Sequence, residues 1–163
     1  VNGTTGNTGP SATSDLASDL SLWLGKSALI KLALEAIQGV APNFPGDNFQ
    51  CEGRGYRPQM LMLLVIYCYA TGLYDSGKIE AALEDNLTLR YIRAGARPDA
   101  YVVQRFRHAH RDLIAQTLAR VVERAWEMRE DAGAASGVRP DFHRDAAQRI
   151  EQALFLDCIA RDV

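Results

Sequence analysis

Residues Met60 to Ala70 read MLMLLVIYCYA, 11 positions in a row without a charged side chain. Pro58 stands just ahead of the run, at a helix start where its missing N–H costs nothing. Thr71-Gly72 closes it with a helix-stop residue. A helix that is apolar nearly all round has no face to offer water, so the run predicts a central, buried helix. It is too short to cross a membrane, which takes about 20 residues. The remaining helices must therefore wrap it, and 163 residues with 47% apolar side chains suffice for one such domain.

The flanking sequence supplies those helices. Ser14 or Asp15 is placed to cap a first helix. Leu16, Leu20, Trp23, Ser27, Ile30, Leu34 and Ile37 then recur at helical spacing. Gly25 splits this stretch, and Gly39 and Pro42 end it. Two Pro and three Gly within 42–57 predict a loop. Asp75 or Ser76 caps a helix over about 77–85, Asn86 interrupts it, and a short helix follows over 87–94. Pro98-Asp99 is a sharp restart, with Asp99 as N-cap of a long helix near 99–131. A last helix is expected over about 142–160, using Phe142, Ala146, Ile150, Ala153 and Leu154. No stretch alternates with period two for long enough to predict a strand. The expected fold is all-α: a compact multi-helix domain of five to seven helices, with a helix-turn-helix-like unit built from 77–85 and the start of 99–131. Residues 1–13, rich in Gly, Thr and Asn, are expected to form a disordered leader. Residues 14–131 form the domain, and 132–163 a flexible break followed by the C-terminal helix.

Charge is unevenly distributed. The net charge is −2, yet residues 51–125 carry eleven Lys or Arg against eight acids, between two acidic ends. Ten of those eleven cations are Arg, whose planar fork matches phosphates and guanine edges. On the helix opened by Asp99, Gln104, Arg107, His108 and Arg111 fall at i, i+3, i+4 and i+7, with Arg105 on the flank. This is the candidate groove face. Arg54, Arg57, Lys78, Arg90, Arg93 and Arg97 are candidate phosphate contacts.

Other chemistries lack their residues. Cys51, Cys68 and Cys158 are odd in number and widely spaced, and are expected to be reduced thiols in a cytoplasmic protein. His108 and His110 point about 200° apart on a helix and cannot share an ion. There is no HExxH, metal-type Cys/His cluster, P-loop or GxSxG elbow. Glu80 with Glu84 and Glu123 with Glu127 are expected to be solvated helix faces, and Trp23 and Trp126 core anchors. No catalytic residue, metal site or cofactor is predicted.

Ordered blocks give a more specific signal. Gly53-Arg54, Tyr56 and Pro58 are followed by Tyr67-Cys68-Tyr69-Ala70-Thr71-Gly72 and Ser76-Gly77-Lys78-Ile79-Glu80. Then come Glu84-Asp85, Arg90-Tyr91-Ile92, Arg97-Pro98-Asp99 and Arg105-Phe106-Arg107-His108-Ala109-His110. Over Gly53 to about Asp112 this order resembles the N-terminal domain of bacterial insertion-sequence transposases of the DDE type (InsH-like). Asp75 and Gly77 stand where relatives often carry basic or Ser/Arg-type residues. The resemblance implies an all-helical domain that binds double-stranded DNA at the ends of a mobile element. The metal-binding acids for strand cleavage would lie in a separate RNase H-like domain. No αβ pattern able to hold such a triad is seen before Val163, so a truncated copy, an excised region or a reused domain is expected. Two alternatives remain at this level. One is a helical oligomerisation or interaction module whose 126–163 segment packs on a partner subunit or a catalytic domain. The other is a free-standing helix-turn-helix regulator.

Overall fold

The computed structural model describes residues 16–42, 44, 48–134 and 137–161. The expected leader, the Ser14 or Asp15 cap and the middle of the 132–140 break lie outside these residues. Eight helices and one hairpin are present among the described residues. They are α1 (Ser21–Leu24), α2 (Lys26–Val40), β1 (Phe49–Cys51), β2 (Arg54–Tyr56), α3 (Pro58–Ala70), α4 (Ser76–Asp85), α5 (Leu87–Arg93), α6 (Ala100–Ala109), α7 (Arg111–Asp131) and α8 (Phe142–Arg161).

α3 is the apolar run, and every residue from Leu61 to Ala70 is buried. α2, α5, α6, α7 and α8 all pack against it. Its end is fixed by Gly72, at φ 84°, where a Cβ would stand 3.3 Å from the Ser18 carbonyl oxygen. A side chain at that position meets both a strained backbone and a neighbouring chain.

Side-chain caps define the shorter helices. Asp75 accepts from the Lys78 N–H, Asn86 from Leu89 and Asp99 from Val102. Contacts across the chain join two of the sequence blocks. Glu80 accepts from the Ala100 N–H at 2.7 Å, adding a second cap to α6, and Glu84 pairs with Arg97 at 2.9 Å. Glu80 and Glu84 thus hold α4 against Arg97 and the start of α6.

Four expectations are corrected. Residues 42–57 are not all loop: Phe49, Gln50 and Cys51 pair antiparallel with Tyr56, Gly55 and Arg54. Glu52 and Gly53 sit at φ 52° and 77°, the positive pair that a two-residue hairpin turn needs. The helical stripe of the N-terminal segment changes phase at Gly25 (φ 85°), so Ser27 and Leu34 are exposed while Leu29, Leu32, Ala33 and Ala36 are buried. The long helix near 99–131 is two helices, broken at His110 (φ −124°, ψ 30°). Finally, the apolar side of α8 is used inside the domain: Phe142, Ala146, Ile150 and Ala153 are buried and α8 packs on α7, α3 and α4.

His110 explains the break. Its ring sits in an aromatic cluster, 4.8 Å from Phe106, 5.3 Å from Phe44 and 6.2 Å from Phe49 between centroids. Burial lowers its pKa from the ordinary 6.5. The unfolded chain therefore takes up this proton more readily than the folded one, so folding is favoured above about pH 6.5 and weakened as pH falls through the folded value. Urea midpoints between pH 8 and 5 are expected to fall, and His110→Phe is expected to flatten that part of the profile. An unchanged slope in the variant would contradict this role.

α8 also brings charge into the interior. The Arg149 guanidinium donates to Asp145 at 2.8 Å and to the carbonyls of Ala17 (2.7 Å), Ser18 (2.9 Å) and Tyr69 (2.8 Å). It ties the N-terminal segment to the ends of α3 and α8. Arg149→Lys keeps the charge but not the fork, leaving buried acceptors unpaired. Its expected cost is about 1–3 kcal/mol by urea unfolding. No measurable change would contradict the clamp.

Candidate nucleic-acid interface

α6 sends Val102, Val103 and Phe106 into the core. Its opposite side carries Tyr101, Arg105 and His108, all exposed, with Gln104 half-buried. Arg111, the first residue of α7, is also exposed. The turn at His110 places it beside this face even though it belongs to another helix. Tyr101, Gln104, Arg105, His108 and Arg111 line one cleft of about 330 Å³. Four of the five proposed groove residues thus share a site.

Arg107 is the exception and a correction. It is 4% exposed and contributes only to the cleft wall. Its Nη1 lies 2.7 Å from Asp157 on α8 and donates to the Tyr69 hydroxyl at 3.0 Å. Burial disfavours the guanidinium charge, but Tyr69 and Asp157 outweigh it and raise the pKa above its usual value. The same burial pushes the Tyr69 hydroxyl up to about 12. Asp157 also accepts from the Ser76 N–H at 2.9 Å and the Ser76 hydroxyl at 2.7 Å, closing the start of α4. Arg107 is therefore a structural cation, fixed by a helix that begins more than 30 residues later.

The phosphate candidates divide the same way. Arg93 is buried, with Nε donating to the Leu83 carbonyl at 3.0 Å and Nη1 to Ala96 at 3.2 Å. It fastens α5 to α4 and to the following loop, and is corrected from a phosphate contact to a structural residue. Arg97 is exposed but engaged by Glu84. Arg54, Arg57, Lys78 and Arg90 are exposed and make no ion pair among the described residues.

The hairpin lies near the α6 face. β1 packs on α6, and Arg54 is the register partner of Cys51. Burial pushes the Cys51 thiol up, with Glu52 and Asp99 adding to the shift, while Arg105 is near enough to pull it down.

Sequence reasoning missed three cleft residues: Tyr101 on α6, and Leu154 and Arg161 on α8. Arg161 Nη2 reaches Gln104 Oε1 at 3.5 Å. A last-turn Arg on a distant helix carries no local signal of this position. Among the described residues no group of three or more His, Cys, Asp or Glu is arranged to hold a metal ion. No described helix is long and apolar enough to cross a membrane.

Residues 35–109 match the family model described as Transposase domain (DUF772), so the chain carries a transposase N-terminal-like domain over that span. The matched segment runs from the middle of α2 to the last residue of α6 and covers a little under half of the chain. No curated protein and no solved structure gave a match.

Proposed function

We propose that this chain is the DNA-binding N-terminal region of a bacterial insertion-sequence transposase of the DDE type. It recognises duplex DNA at the ends of the mobile element, and strand cleavage is the work of a separate catalytic domain. The observation that carries this reading is the exposed face of Gln104, Arg105, His108 and Arg111 within a chain that bears a transposase domain. α4, α5 and α6 follow one another, and α4 packs on both of the others. They supply the helix-turn-helix-like unit, with the exposed side of α6 entering the major groove. Gln104 and Arg105 have the chemistry to read adenine and guanine edges. Arg54, Arg57, Lys78, Arg90 and Arg111 hold backbone phosphates and fix the docking register.

The test is duplex binding by the chain and by a variant carrying Arg105→Ala and Arg111→Ala. Both side chains are exposed, so folding should be unaffected while affinity falls at least tenfold, on the order of 1 kcal/mol or more per contact. Equal binding by the two proteins would remove this face from the interface.

A further inference from the structure

The cleft beside α6 is more than a duplex-facing helix requires. Beside the exposed side of α6 lies a recess bounded by α6, the start of α7 and the last turns of α8. Its volume, about 330 Å³, lies at the small end of the range of small-ligand sites. Its lining has two chemistries side by side. Tyr101, 47% exposed, and Leu154 supply apolar surface. Arg105, Arg111 and Arg161 supply cations, and no carboxylate among the described residues lines the recess.

Arg97, Arg120, Arg124 and Arg139 each pair with a glutamate. Arg105, Arg111 and Arg161 make no ion pair among the described residues, although Arg161 is held toward Gln104. The wall behind them contains Arg107, whose charge is already neutralised by Asp157 and whose Nε has no hydrogen-bond partner among the described residues. An aromatic side chain next to several guanidinium groups that make no ion pair among the described residues matches a base and its phosphate. Stacking on an aromatic ring needs an unpaired base, and each such contact is worth about 1–3 kcal/mol.

We propose that this cleft seats one unpaired nucleotide, its base against Tyr101 and Leu154 and its phosphate among Arg105, Arg111 and Arg161. The nucleotide belongs to a DNA strand that continues from the duplex on the α6 face, so the proposal rests on the duplex reading above. It adds α8, which lies outside the matched transposase segment, to the DNA-contacting surface.

The experiment compares fluorescence anisotropy of a blunt labelled hairpin duplex with the same duplex carrying a two-nucleotide unpaired extension, 5′ or 3′. One extension is expected to tighten binding by about tenfold. Tyr101→Ala should abolish that gain. Arg161→Gln, on α8 and outside the duplex-reading side of α6, should reduce it while leaving the blunt duplex and the melting temperature unchanged. Equal affinity for blunt and both extended duplexes overturns the proposal and leaves the duplex reading intact. Failure to bind any duplex defeats the duplex reading instead. Adenosine monophosphate serves as free competitor. It should remove the extension gain and leave blunt-duplex binding intact; a gain that persists at saturating nucleotide would place the extension outside this cleft and overturn the proposal.

Discussion

Arg107→Ala is expected to destabilise the domain by about 3–5 kcal/mol, because it leaves a buried carboxylate without its countercharge. The partner is Asp157, itself 3% exposed, and its remaining donors are the N–H and hydroxyl of Ser76. Those two dipoles cap α4 but do not cancel a full charge in a low-dielectric site. Tyr69 loses a hydrogen bond at the same time. For a chain of this size the cost corresponds to a drop in melting temperature of roughly 6–20 °C. Arg105→Ala, two positions away but exposed, should change stability by no more than about 0.5 kcal/mol. Urea unfolding of the two variants separates the roles. A stable Arg107→Ala protein that has lost DNA binding would contradict the internal assignment and return Arg107 to the groove face.

Local chemistry made much of this fold legible, and distant chemistry did not. Pro58, Asp75, Asn86 and Asp99 could be read as helix starts because a cap acts within one turn of its own residue. The central helix was legible because an all-round apolar run has one stable place to go. The hairpin was hidden, since its strands are three residues long and its turn uses Glu52-Gly53 rather than an Asn-Gly pair. The break at His110 was hidden because helical spacing continues through it. No Gly or Pro marks the spot, and only packing among Phe44, Phe49 and Phe106 reveals it.

The site divides along the same line. Counting residues along a helix put Gln104, Arg105, Arg107 and His108 close together, and they are close. It could not tell which guanidinium meets a carboxylate 50 residues later on α8. Arg93 was misread for a related reason: its acceptors are the carbonyls of Leu83 and Ala96, which spacing alone does not bring together. Arg161 was missed because its place is set by how α8 packs.

Binding of duplex DNA is expected to collapse with salt. Arg54, Arg57, Lys78, Arg90, Arg105 and Arg111 are exposed cations without an ion pair among the described residues. Four to six phosphate contacts release a matching number of condensed counterions, giving a slope of log affinity on log salt of about −4 to −5. Between 50 and 200 mM salt the affinity should fall roughly 200- to 1,000-fold. The net charge of −2 over the whole chain does not oppose this, because the cations concentrate in residues 51–125, which carry eleven Lys or Arg against eight acids.

The deciding measurement is that salt titration, made by anisotropy on the unmodified chain and on the variant carrying Arg105→Ala and Arg111→Ala. The unmodified chain should give the steep slope, and the variant a slope shallower by about 1, the unit expected for the phosphate contact of Arg111. A flat curve, or identical slopes for the two proteins, would contradict a DNA-binding surface built on α6 and the start of α7.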